Sequence, residues 1–229
     1  MTPVYPAKVY ALSASRPSAW LRVIYCIEPF IALCGLLVLT PLFLTIAATI
    51  AILSRRSPFI SHTRVGWRGA SLPMLKFRTM WGDDTLGQAP QQRWSLVEDV
   101  SVKFDPGKSA GARAQSDPRI TSRFASFCRR FSLDELPQLY HVAMGEMSLV
   151  GPRPITAAEL ETWYGECAQE VVSLRPGMTG LWQVTGRNTL TYEERKRLDL
   201  VLVREASLLL YFSILLRSIP RVLTGTGAC

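Results

Sequence analysis

The dominant feature of the hydropathy pattern is one long apolar run. Between Pro29 and Leu53 no residue carries a charge. As a helix this segment would reach roughly 37 Å, enough to cross the hydrocarbon core of a bilayer. Pro41 stands in its middle, directly after Thr40. Proline removes a backbone donor and bends a helix, and the Thr40 hydroxyl can satisfy a carbonyl freed in this way. Arg16 and Arg22 precede the run, while Arg55 and Arg56 follow it. The cationic excess that marks a cytoplasmic flank therefore points to both ends. Two readings stay open: a kinked span, and a re-entrant helix, broken at Thr40-Pro41, that returns to the face it left.

Beyond the run the pattern changes to short mixed elements. Ser71 to Thr79 predicts a strand. Residues 82–116, rich in Gly, Pro, Gln and Ser, read as a long loop or insertion. Ile120 to Phe131 sets apolar and basic residues at helical spacing, and Leu136 to Met144 reads as a helix ended by Gly145. Gly151-Pro152-Arg153-Pro154 forms a rigid turn. Ala157 to Val172 reads as a helix stopped by Pro176, and Leu190 to Leu202 as a charged one. Ser207 to Leu223 is strongly apolar but carries Arg217 and Arg221; it suits either the membrane interface or a core-packed amphipathic helix. The fold class expected is mixed α/β: a flexible lead over residues 1–20, a membrane helix over 21–57 and a small globular domain over 58–229, with interfacial amphipathic helices.

Composition refines this picture. Apolar residues make up 48% of the 229, and the net charge is +8. Residues 54–80 hold Arg55, Arg56, Arg64, Arg68, Lys76 and Arg78 and no acid. Such a stretch suits anionic headgroups or phosphate ligands, and also suits a solvated basic face. The five cysteines are odd in number and form no CxxC pair, which suggests neither a disulfide framework nor a zinc site. A reducing, cytosolic compartment is the natural one. No cleavable signal peptide is expected, since the apolar run is too long for a signal h-region.

The chemistry concentrates in Ser132-Leu133-Asp134-Glu135-Leu136-Pro137-Gln138, just after Arg129 and Arg130. Ser132 and Glu135 have the spacing of a helix capping box, and both acids favour the positive end of a helix dipole. With Ser132 as the cap, however, Pro137 falls where its missing N–H matters; with Asp134 as the cap it does not. Structural and catalytic readings both remain. Adjacent acids do not easily face each other across a sugar at ~5 Å, as a retaining glycosidase requires. They can supply a nucleophile and a metal ligand or proton acceptor. Lys76, Arg78, Arg153, Arg175 and Arg187 recur beside turns, which together with the acids suggests a polyanionic substrate.

In chain order, Thr40-Pro41, RVG, LKFRTM, DPRIT, SLDELPQL, GEMSLVGPRP, RPGMTGLWQVTGRN, YEER with LD after it, and a C-terminal apolar helix resemble the monotopic phosphoglycosyl transferases, the bacterial sugar transferases that start exopolysaccharide, capsule and O-antigen assembly. The resemblance runs from about residue 22 to the end. It implies a re-entrant helix and, over 58–229, a catalytic domain at the cytoplasmic face of the inner membrane. It implies a UDP-sugar donor, a polyprenyl (undecaprenyl) phosphate acceptor, membrane lipid as surroundings and Mg2+ as cofactor. Asp134 matches the nucleophile that forms a phosphosugar intermediate as UMP leaves, and Glu135 the metal-associated acid or proton acceptor. Arg129, Arg153 and Asp199 fall at active-site positions. Lys76, Arg78 and Arg187 are assigned with Arg129 and Arg153 to the substrate phosphates, and Asp199 with Asp134 and Glu135 to the metal. Two departures stand out: Glu28 where the family commonly has Asp, and Ala206 and Tyr211 where Trp and Asp are usual.

A rival reading is a membrane-anchored module for anionic polymer or nucleic acid. It leaves the Asp134–Glu135 pair unexplained, and no aromatic–basic interleaving of an RNA-binding kind is present, so no nucleic-acid partner is expected. The sequence does not name the sugar, and it leaves oligomeric state open, a homo-oligomer included.

Overall fold

The computed structural model describes residues 18–80, 122–186 and 190–225, and the backbone of 96–97. The apolar run lies within α1 (Ala19–Ser54), a single helix. Its buried residues, Leu21, Tyr25, Glu28 and Ala32 near one end and Ile46 and Ile50 near the other, recur at steps of three and four, so they share one face. Half-buried Gly35, Leu36, Leu39 and Phe43 continue that stripe between them. The helix therefore lies along the globular part over its whole length, while Phe30, Leu37, Val38, Leu44 and Ile52 face outward, exposed.

The helix is not interrupted at Thr40-Pro41, which corrects the expected break. Packing holds it on both sides of the proline. Ala32 enters a core with Leu72, Met74, Val142 and Met147, and Ile46 and Ile50 enter another with Phe77 and Cys128. Thr40 Oγ1 donates to the Leu36 carbonyl at 2.8 Å, one residue before the carbonyl that Pro41 frees. The second proline has a clearer remedy. Pro29 leaves the Tyr25 carbonyl without its helical donor, and Arg175 Nη1 donates to that carbonyl at 3.4 Å. The guanidinium lies 4.3 Å from the centroid of the Tyr25 ring and 5.3 Å from that of Trp67. Arg175 is thus a strut for α1 and not one of the phosphate-directed cations suggested by its setting beside a turn.

Strand β1 (Phe59–Val65) pairs antiparallel with β2 (Ser71–Phe77), in register from Phe59↔Phe77 to Val65↔Ser71, and the two-residue β3 (Leu96–Val97) lies parallel to β1. The strand expected over 71–79 is therefore observed, two residues shorter. Its partner β1 was not expected, because FISHTRV has no clean apolar alternation and all seven residues are half-buried. Residues 82–116 otherwise lie outside the described ones.

α2 (Arg123–Arg130) is capped by Ser122, whose side chain accepts from the Phe124 N–H. A 3-10 turn, Leu133–Gln138, runs into α3 (Leu139–Ala143), and β4 (Ser148–Val150) pairs in parallel with β5 (Gly177–Thr179). The single helix expected over 157–172 is divided. α4 (Ala157–Glu159) passes through a π-turn at Leu160–Tyr164 and a 3-10 turn at Gly165–Cys167 to α5 (Ala168–Val171). Gly165 has φ +48°, which no regular helix tolerates. α6 (Leu181–Thr185) precedes α7 (Tyr192–Arg204), whose Thr191 and Glu194 form a complete capping box. α8 (Leu208–Thr224) buries Tyr211 and Ile214 and exposes Leu209, Leu216 and Leu223.

A buried carboxylate fastens α1 to this frame. Glu28, 1% exposed, accepts at Oε1 from Ser148 Oγ at 2.7 Å, the Leu149 N–H at 2.8 Å and the Tyr211 hydroxyl at 2.6 Å. The three donors come from β4 and α8, so one side chain joins three elements.

Candidate active site

The acidic pair owes its placement to two backbone features. Ser132 adopts a left-handed φ of +55°, which ends α2 and turns the chain. Pro137 then withholds a donor, and residues 133–138 take the tighter 3-10 form. Ser132 makes no capping bond to the turn that follows, so the capping-box explanation of the pair does not hold. At three residues per turn, neighbouring side chains diverge by about 120°. Asp134 consequently points inward, 8% exposed, while Glu135 points towards β2 and the loop after β4.

Glu135 Oε1 receives Lys76 Nζ at 2.8 Å and lies 3.9 Å from Arg153 Nη2. Lys76 is positioned by its strand, which is pinned next door: the Leu75 N–H donates to Nε2 of buried His141 at 3.1 Å, and His141 Nδ1 lies 2.6 Å from Glu146. A ring that accepts at Nε2 must carry its proton at Nδ1. Burial pushes the Asp134 carboxyl up to about 6; the Glu135 charge adds to this, and Lys76 and Arg129 oppose it. Behind Asp134, burial and the aspartate charge push the Cys128 thiol up to about 11. It is therefore a protonated core residue with no nucleophilic character at neutral pH.

The expected site residues thus separate. Lys76, Arg129, Asp134, Glu135 and Arg153 form one charged cluster. Arg78 is directed elsewhere, with Nε donating to the Ser57 carbonyl at 2.8 Å and Nη2 to the Phe59 carbonyl at 3.4 Å. Arg187 lies outside the described residues. Asp199 does not join the acidic pair, since among the described residues no three His, Cys, Asp or Glu side chains gather as a metal-ligand set. It lies 1% exposed on α7 and accepts the Tyr164 hydroxyl at Oδ2 at 2.8 Å. Burial pushes it up to about 7, against the Tyr164 hydroxyl, the Arg153 amide and the charges of Arg153 and Arg195.

Asp199 also borders a cleft of about 180 Å³ that sequence reasoning missed, bounded in addition by Arg64, Arg153, Tyr164, Trp182, Tyr192 and Arg195. Its only sequence signal was a set of aromatic residues inside the motifs GLWQ and YEER. Arg153 belongs to both places, with its guanidinium near Glu135 and 5.6 Å from the Trp182 centroid.

The raised carboxyls of Asp134 and Asp199 make stability depend on pH. Both take up protons more readily folded than unfolded, so their contribution is complete below about pH 3.8 and is lost as pH rises through about 6 and 7. Asp199→Asn removes one of these titrations. Its stability relative to the wild type should therefore rise between pH 5 and pH 8, by on the order of 2 kcal/mol. Denaturation of both proteins in detergent at the two pH values measures this. A difference independent of pH would show that Asp199 is ionised throughout.

Residues 21–225 match the family model of the bacterial sugar transferases. The exopolysaccharide production protein ExoY of Sinorhizobium fredii is 38% identical over 203 residues, covering 88% of this chain and 85% of the relative. The undecaprenyl-phosphate galactose phosphotransferase of Salmonella typhimurium is 40% identical over 167 residues, 73% of this chain and 33% of the relative. The UDP-glucose:undecaprenyl-phosphate glucose-1-phosphate transferase of Xanthomonas campestris is 35% identical over 204 residues, 86% and 38% respectively. The match spans the apolar helix α1, the acidic pair and the cleft alike, and the chain belongs to the bacterial sugar transferase family as a phosphoglycosyl transferase.

Proposed function

We propose that this enzyme transfers a sugar 1-phosphate from a UDP-sugar to undecaprenyl phosphate, at the cytoplasmic face of the inner membrane, as the first membrane step of exopolysaccharide, capsule or O-antigen synthesis. The observation that carries this reading is the unequal setting of the two acids. Glu135 is engaged by Lys76 and Arg153, while Asp134 is buried beside them in a site rich in cations. An Asp134 carboxylate oxygen attacks the phosphorus that bears the sugar. The bond from that phosphorus to the bridging oxygen breaks, and UMP leaves with the electron pair. A phosphate oxygen of undecaprenyl phosphate then attacks the same phosphorus, the acyl phosphate bond breaks, and undecaprenyl diphosphate sugar departs as the carboxylate is regenerated. Lys76, Arg129 and Arg153 balance the charge of the phosphates.

A Mg2+ ion takes few protein ligands and completes its shell with phosphate oxygens and water. Asp134 and Glu135 diverge and would not chelate it as a pair; one carboxylate, together with the donor's phosphates, would hold it, and it would supply charge neutralisation at the diphosphate. The stripe on α1 supports a seat in which this unbroken helix lies along the domain at the cytoplasmic face, with no dip and return at Pro41. Basic residues at both flanks agree with this. The test is a screen of UDP-sugars with purified enzyme, Mg2+ and undecaprenyl phosphate. UMP release and a diphosphate-linked lipid product are expected with at least one donor. Release of UDP in place of UMP would overturn the reading.

A further inference from the structure

The geometry points to the cleft between α7, α6 and the loop after β4 as the seat of the donor's uracil ring, with Asp199 accepting the N3–H and Arg153 and Arg195 facing the two flanking carbonyls. This rests on the transfer of a sugar phosphate from a uridine donor proposed above, and adds what recognises the base.

Four observations carry it. First, Asp199 Oδ2 is taken by the Tyr164 hydroxyl, whereas Oδ1 is buried with no hydrogen-bond partner among the described residues. The Arg153 amide acts on the same carboxyl as a weak donor but is not placed to make a full hydrogen bond to Oδ1. A buried, unused carboxylate oxygen is costly unless something donates to it. Second, two guanidinium groups share this cleft, Arg153 at 5.6 Å and Arg195 at 4.6 Å from the Trp182 centroid, and the charges of both act on the Asp199 carboxyl. Two donor groups beside one acceptor complement the acceptor, donor, acceptor edge of uracil. Cytosine presents a lone pair at N3 and an amino group beside it, and mismatches two of the three positions. Third, the walls are flat. Tyr192 stacks on Trp163 with centroids 4.9 Å apart at 16°, and Arg195 lies 5.3 Å from the Tyr192 centroid. Planar rings and guanidinium planes suit a heterocycle better than a puckered sugar. Fourth, Arg153 ties the cleft to Glu135, so a base held here would direct its phosphates towards Asp134. A volume of about 180 Å³ accommodates a pyrimidine ring and part of its ribose.

Calorimetric titration of the detergent-purified full chain at pH 8, where Asp199 is largely ionised, tests this with UMP, CMP, 3-methyluridine 5′-monophosphate and inorganic phosphate. UMP should bind at least tenfold tighter than CMP, and the N3-methyl analogue at least tenfold weaker than UMP. Asp199→Asn should reduce the preference for UMP over CMP to threefold or less, or reverse it. With the amide oxygen held by the Tyr164 hydroxyl, its NH2 faces the ligand and suits the cytosine N3. The N3-methyl comparison needs no substitution and stands even if the variant does not fold. Affinities for UMP and CMP within threefold of each other would overturn the proposal and leave the cleft to the sugar, as would a full UMP preference in folded Asp199→Asn. UMP release from UDP-sugars, measured on the same preparation, separates the two readings. Release without base preference removes only the uracil seat, whereas neither release nor binding removes both.

Discussion

Asp134→Asn should abolish UMP release while leaving the protein folded and membrane-bound. The substitution keeps shape and burial and removes the oxygen anion that forms the bond in the proposed mechanism, in which no other group can substitute for it. Activity should fall at least a thousandfold, equivalent to about 4 kcal/mol or more of transition-state stabilisation. Folding should not suffer, because the carboxyl is already held up by burial at about 6 and a neutral amide does not bear that cost. A wild-type enzyme given UDP-sugar without undecaprenyl phosphate should accumulate a phosphosugar on the peptide that contains Asp134, visible by rapid quench and intact-mass measurement. Glu135→Gln should slow turnover but still permit the adduct, since Glu135 is bonded to Lys76 and forms no bond to phosphorus. An active Asp134→Asn enzyme, or an adduct on another residue, would end this mechanism.

The second large effect concerns a residue without a side chain. Gly177→Ala should prevent the domain from folding stably. A Cβ at Gly177 would lie 2.6 Å from both Gly151 Cα and the Thr179 carbonyl oxygen, and one at Gly151 would lie 2.8 Å from the Gly177 nitrogen. These neighbours are backbone, so no rotamer change relieves them. The two glycines cross where β4 and β5 meet, with Gly151 N–H donating to the Thr179 carbonyl at 3.0 Å and Gly177 N–H to that of Pro152 at 2.8 Å. Separating the strands would also displace Arg153, two residues past Gly151. We expect a cost of about 3–5 kcal/mol, and a melting temperature lowered by about 10 °C or more. Gly35→Ala is the control: its Cβ would meet only Leu139 Cδ1, at 4.0 Å, and alanine favours the helix. Equal melting temperatures for Gly177→Ala and the wild type would show that the crossing is looser than described.

The sequence carried the long elements and the acidic pair well, and the reasons for its failures are physical. An uncharged run and a proline were legible at α1, but its single buried stripe was not, because the outer face is as apolar as the inner one. Leu37 and Leu39 look alike in sequence, yet one is exposed and the other half-buried. β4 and β5 have three residues each, too few for any period to show. Arg175, Arg153 and Arg78 stand in similar settings beside turns or strand ends. Only the fold assigns one to a helix carbonyl, one to Glu135 and one to the start of β1. The cleft escaped notice because its walls come from segments far apart in the chain. Two of the three residues that depart from the family pattern, Glu28 and Tyr211, are linked, since the Tyr211 hydroxyl donates to Glu28 Oε1 at 2.6 Å.

That pairing, together with the stripe along α1, bears on what counts as the enzyme. The segment that meets lipid is often treated as a tether, dispensable once a soluble version is wanted. Here Ala32, Ile46 and Ile50 are interior residues of two cores, and Trp20 and Ile24 pack on a third. A chain cut after Ser54 would open those cores to water and leave the hydroxyls of Ser148 and Tyr211 without their buried acceptor.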